Sequence, residues 1–144
     1  MKLFSLSRTI VLQQSDHHIS SESYLLNHIE QQLEWLKMSV YRPNDNELFF
    51  QKTDFIRGLN VRTYLRNLRI IVDISSDEIR IQLETEMIFI TLFGLCPVVM
   101  ASTGVLPPTF GLMGIVVFGV GYLIKWIIID NLKKDLLPLL ESLR

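Results

Sequence analysis

The chain has 144 residues and carries 14 Lys and Arg against 15 Asp and Glu, a formal net charge of −1. That length fits one compact unit, and the near-neutral balance gives no global field to gather nucleic acid, so no nucleic-acid partner is expected. A single cysteine, Cys96, excludes a disulfide framework within the chain. Arg8 interrupts the apolar residues after Lys2 before the ~7–15-residue apolar region of a cleavable signal can form.

Phe4, Leu6, Arg8, Ile10 and Leu12 alternate with Ser5, Ser7, Thr9, Val11 and Gln13. Apart from Arg8 the first set is apolar, the period of a half-buried strand. Gln14 to His18 is polar and reads as a loop. A helix is expected from Ser21 to Val40, capped by Ser20 or Ser21, with Glu22 at the positive end of its dipole. Leu26, Ile29, Leu33, Leu36 and Val40 form its apolar stripe. The turn chemistry of Arg42-Pro43-Asn44-Asp45-Asn46 ends it.

Glu47 to Ile56, with Leu48, Phe49, Phe50 and Phe55, reads as a second strand. Between it and the third lie Arg57, Arg62, Arg66 and Arg69, with no acid from Arg57 to Ile71. Val61, Leu65 and Leu68 recur beside them at helical steps. Such a basic amphipathic stretch fits anionic lipid headgroups at about 1 kcal/mol per basic residue near the surface. It equally fits a solvated loop whose arginines pair with Asp54, Asp73 or Glu78. Leu68, Ile70, Val72 and Ile74 alternate in a third strand. After the turn Ser75-Ser76-Asp77, Ile79, Ile81 and Leu83 alternate in a fourth. Residues 1–86 therefore read as an α+β unit in the order β-α-β-β-β, a mostly antiparallel sheet with one helix on its apolar face.

From Met87 to Ile124 there is no Asp, Glu, Lys, Arg or His; Lys125 then precedes Trp126-Ile127-Ile128-Ile129. This stretch is too long for one membrane crossing of about 20 residues and right for two. Ser102 to Pro108 breaks it. Residues 87–129 thus read as a transmembrane hairpin, with helices near 88–106 and 109–129. Pro97 keeps a re-entrant hairpin open as the alternative. Arg69, Arg80, Lys125, Lys133 and Lys134 flank the spans and the turn has no basic residue. That pattern places both termini in the cytoplasm and the protein in the plasma (inner) membrane as a multi-pass protein. Lys125, by snorkelling, and Trp126 are the expected interfacial anchors. Residues 130–144 carry Leu132, Leu136, Leu139, Leu140 and Leu143 at amphipathic helical spacing, with a bend expected at Pro138. This tail is expected to fold back onto the first unit or to lie in the interface.

Gly111, Gly114, Phe118, Gly121 and Lys125 step by three and four along one helix face, and Gly94 and Ala101 share a face of the other. Small residues there let helices approach closely. They serve either packing of the two spans on each other or recruitment of a protein partner, including a second copy through Gly111, Gly114 and Gly121.

Metal and reaction chemistry find little support. His17 and His18 are adjacent in a loop beside Asp16, His28 is on the helix, and no zinc spacing joins them. No nucleophile motif, phosphate loop or paired intramembrane carboxylates occur, so neither an enzyme nor a cofactor is expected.

The strand pattern through Leu83, the uncharged stretch Met87 to Ile124 and the leucine tail together resemble small uncharacterised bacterial membrane proteins. In these a cytosolic α+β domain is joined to a two-helix hairpin. The expected function is that of a non-enzymatic integral membrane protein presenting a membrane-proximal interaction domain, as a scaffold or accessory subunit. The alternatives are a headgroup-sensing module acting through Arg57, Arg62, Arg66 and Arg69, and a homo-oligomeric pore or transporter subunit built on the glycine face.

Overall fold

The computed structural model describes residues 5–13, 21–52 and 67–142. The elements are β1 (Ser5–Gln13), α1 (Glu22–Gln32), β2 (Ser39–Asn44), β3 (Glu47–Gln51), β4 (Asn67–Ile74), β5 (Glu78–Glu86), α2 (Ile88–Ser102) and α3 (Pro108–Ser142). The fold class is α+β. The five strands form one antiparallel sheet in the order β1-β5-β4-β3-β2.

Register explains which residues are buried. Ile10 lies opposite Ile81, which lies opposite Val72; Leu83 lies opposite Ile70, which lies opposite Leu48. Directly paired residues share a face. The alternating apolar residues therefore form continuous rows on one side, while Ser7, Thr9, Arg69, Glu84 and Gln82 point to the other. The β4–β5 hairpin turns at Ser75–Asp77, where Ser75 N–H donates to Glu78 O at 2.9 Å.

The strand beyond the expected four is β2, and it shortens the first helix. Ser21 Oγ accepts from Tyr24 N–H at 3.3 Å to start α1. The helix stops at Gln32 instead of running to Val40. A short 3₁₀ turn, Glu34–Leu36, follows, and Lys37 takes a left-handed backbone (φ 51°) that ends it. Leu36 and Val40 still pack on the core, but from the 3₁₀ turn and from β2. Arg42 to Asn44 belongs to β2, and only Asp45-Asn46 turns. Pro43 is tolerated because β2 is an edge strand, where a missing N–H costs no ladder bond; pairing with β3 is irregular between Tyr41 and Asn44.

The larger departure is at the C-terminal end. No separate tail helix exists: α3 runs unbroken through Ile129, Asp130 and Pro138 to Ser142. No glycine or cap interrupts it there, and Lys134 pairs with Asp130 at 2.9 Å one turn apart. Pro138 is accommodated within the last turns of the helix. Ile129, Leu132, Leu136 and Leu140, at steps of three and four, are fully buried in the same core as Leu6, Ile10, Leu25, Leu26, Ile29, Ile81 and Leu83. Two helices therefore cover the inner face, α1 beside β3 and β4 and the second half of α3 beside β1. Each leucine so buried contributes roughly 2 kcal/mol relative to exposure.

The first half of α3 packs on α2. Among the described residues α3 alone is long and apolar enough to cross a membrane, by length and composition. Only 17% of its most apolar window is buried within the chain. α2 has 15 residues, Ile88 to Ser102.

Candidate functional site

Two regions bear on function: the junction between hairpin and sheet, and the open face of the sheet.

At the junction only Met87 separates β5 from α2. Lys125 is 7% exposed, and its ammonium donates to the backbone carbonyl of Glu86. It does not extend to solvent; it ties α3 to the strand that feeds α2. The Arg8 guanidinium lies over the Trp126 ring, 5.0 Å from its centroid. Arg8 lies opposite Leu83 in β1, on the covered face of the sheet, which is why it breaks an otherwise apolar row. Its positive charge also acts on Asp130, whose carboxyl is held below its usual range mainly by the Lys134 hydrogen bond. Arg8 was legible in the sequence as the one exception in its strand; its partners were not.

Within the hairpin the small residues meet each other. A Cβ added at Gly114 would lie 2.5 Å from the Gly94 carbonyl oxygen, and one at Gly94 would lie 2.5 Å from Phe118 Cβ. One at Gly111 would sit 3.0 Å from Ala101 Cβ, and one at Gly121 2.8 Å from Ile90. The face formed by Gly94, Ala101, Gly111, Gly114 and Gly121 is thus taken up by α2 against α3. The outward faces are apolar: Leu92, Phe93, Val99, Leu112, Met113, Val116, Val120 and Leu123 are all exposed. Continuous apolar surface on this scale marks a region buried by something outside the chain.

The open face of the sheet carries a groove of about 650 Å³ that runs from Ser5, Glu86 and Ile88 at the hairpin end to Pro43 and Asn44 at the far edge. Arg69 lies on its floor. Its Nε donates to Glu47, and its Nη1 lies 3.7 Å from Glu84 Oε2. The Glu47 hydrogen bond raises the Arg69 pKa above its ordinary value, with the charges of Glu47 and Glu84 adding to it. Glu47 is only 5% exposed and also accepts from Asn44 Nδ2 at 3.1 Å. Removing the guanidinium would take a charge-assisted hydrogen bond from this buried carboxylate. Asn67 Nδ2 donates to Glu86 Oε2 at 2.7 Å, and Tyr41 and Phe49 form a tilted pair at 4.9 Å along one wall. Among the described residues three carboxylates line the groove against one guanidinium, and no histidine or cysteine does. Glu47, Glu84, Tyr41 and Phe49 were not singled out from sequence. The missed strand β2 and the 22-residue separation of Arg69 from Glu47 hid the cluster.

Of the four arginines grouped by sequence, Arg69 is in this groove. Arg57, Arg62 and Arg66 lie outside the described residues, as do His17, His18 and Asp16. Gln51 lies opposite Asn67, and Leu68 opposite Thr85, so β3 ends and β4 begins at the hairpin end of the sheet. Among the described residues no group of His, Cys, Asp or Glu has the geometry to hold a metal ion.

Comparison with family models, with curated proteins and with solved structures finds no match to this chain.

Proposed function

We propose that this is a non-enzymatic membrane protein whose hairpin, α2 with the first half of α3, sits in the bilayer with both chain termini on the cytoplasmic side. Its sheet presents the open-face groove to a protein partner, as a scaffold or accessory subunit. The observation that carries this reading is the continuity of α3. One helix supplies both an apolar arm and part of the sheet's core, so the groove is held at a set height above the hairpin. The groove's ion-paired floor and aromatic wall suit recognition: polar groups give specificity and Tyr supplies rigid contact area. A photo-crosslinking residue placed at exposed Tyr41 in the full chain, in native membranes, should give one discrete adduct, and the same residue at exposed Tyr24 on α1 should give none. No adduct at Tyr41, or the same adducts from both, would remove the reading.

Headgroup sensing is the second reading, favoured by the placement of Gln51 and Asn67 at the hairpin end. Arg57, Arg62 and Arg66 together would contribute roughly 3 kcal/mol, weakened by salt within a Debye length of about 8–10 Å. Arg69 adds less because Glu47 and Glu84 engage it. In nanodiscs, amide exchange across residues 53–66 of the full chain should be slower with anionic than with neutral lipid. That difference should vanish at high salt and when the three arginines are changed to Gln. Equal exchange in the two lipids sinks it.

A further inference from the structure

The geometry points to a hairpin that enters the bilayer but does not leave it on the far side: its turn, Thr103 to Pro107, lies among the acyl chains of the distal leaflet. This rests on the membrane reading above and concerns how deep the hairpin reaches.

Length comes first. α2 has 15 residues, or ~22 Å at the helical rise, against a hydrocarbon core of about 30 Å. The uncharged part of α3, Pro108 to Ile124, spans ~25 Å by the same rise. The hairpin cannot sink further to make up the difference. Its base is pinned by Lys125 on the Glu86 carbonyl, and the exposed Glu86 carboxylate, Arg8 and Asp130 sit directly behind it. Drawing that base into hydrocarbon would desolvate all of them.

The hydrogen bonding of the turn is the second observation. Inside hydrocarbon a turn must leave no backbone donor unpaired, and the left-handed glycine closure that ends α2, common at helix C-termini, meets that need. Here Thr103 N–H donates to Val99 O at 3.0 Å, Gly104 N–H to Ala101 O at 3.2 Å, and Val105 and Leu106 N–H both to Met100 O at 2.9 and 3.1 Å. Pro107 and Pro108 have no N–H to satisfy. The hydroxyls fold back as well. Ser102 Oγ donates to Val99 O at 2.7 Å, and Thr103 Oγ1 lies 3.1 Å from both Val99 O and Met100 O. From Thr103 to Pro108 no backbone donor is left for water. Gly104, with φ +76°, supplies the left-handed step that lets the chain close in this way.

The third observation is what covers the tip. Trp and Tyr collect at membrane–water interfaces. Tyr122 and Trp126 stand at the sheet end of the hairpin, but from Met87 to Gly121 there is no Trp, Tyr or charged residue. The tip instead exposes Val105, and Phe110 in the first turn of α3 is exposed as well. One end of the hairpin is built for an interface and the other for hydrocarbon.

The test uses the full chain in a Cys96→Ala background, with Thr103→Cys at the tip and Asp77→Cys in the exposed β4–β5 turn as the control. Sealed vesicles of both orientations are treated with a membrane-impermeant maleimide. Asp77→Cys should label from the cytoplasmic face. Thr103→Cys should label from neither, and about tenfold or more slower than the control until detergent is added, because the reactive thiolate is disfavoured away from water. A spin label at Thr103 should be relaxed by oxygen in preference to a soluble nickel chelate. Labelling of Thr103→Cys from either face, or relaxation mainly by the nickel chelate, overturns the buried tip while leaving the membrane reading intact. Recovery of the protein in the soluble fraction, with both cysteines reactive, overturns the membrane reading itself.

Discussion

Leu136→Asp should abolish folding of the sheet unit as a whole and not merely fray the end of α3. Leu136 is fully buried in one core with Leu6, Ile10, Leu25 and Ile29. A carboxylate there has no partner within the apolar cluster, so the substitution should cost ~4 kcal/mol or more, a large share of a domain stability of about 5–15 kcal/mol. Lys133→Ala, on the same helix but off the buried stripe, should change stability by less than ~0.5 kcal/mol. Chemical unfolding of the detergent-solubilised chain, followed by circular dichroism and by Trp35 and Trp126 fluorescence, reads both. Loss of structure confined to the last turns of α3, with the sheet intact, would show that residues 130–142 are an appendage. The same reasoning predicts that residues 1–86 alone lack part of their core.

Gly114→Leu should drive the two arms of the hairpin apart. Even a Cβ at Gly114 would stand 2.5 Å from the Gly94 carbonyl oxygen and 3.2 Å from Pro97 Cβ, and backbone cannot swing aside as a side chain can. Overpacking of this kind costs about 1–3 kcal/mol, here towards the upper end. Gly119 supplies the control, because a Cβ there meets nothing within 4 Å. Gly119→Leu should be tolerated and should even favour the helix by removing a glycine, by about 1 kcal/mol. Thermal unfolding in one detergent, with amide exchange of α2 as the local readout, separates the two. Equal stability of both variants would mean that the arms are not held by this contact.

The elements that were legible in the sequence are those whose pattern has one solution. Ile79, Ile81 and Leu83 alternate without exception, and β5 with its partner β4 lies where that alternation puts it. The uncharged stretch Met87 to Ile124 likewise contains α2 and the first half of α3. β2 was hidden because Leu33, Leu36 and Val40 satisfy helical spacing while serving two other conformations, and because a lysine takes the left-handed position at residue 37, where glycine or asparagine would have signalled the end. The spacing of Leu132, Leu136 and Leu140 was plain, but periodicity identifies a buried face without naming what buries it. The groove was the least legible part. Glu47, Arg69 and Glu84 meet only through strand register, which no local pattern in any one strand reveals.

The unbroken run of α3 also makes the molecule a lever. Lys125 and the Arg8–Trp126 contact form a fulcrum at the level where the hairpin meets the sheet. Beyond it the helix continues to Ser142, about 27 Å at the helical rise. With no hinge between the arm packed on α2 and the arm under the sheet, a tilt of ~10° would sweep the far end of α3, and the sheet packed on it, through ~5 Å. A partner seated in the open-face groove would feel any tilt of the hairpin as a change in its own position.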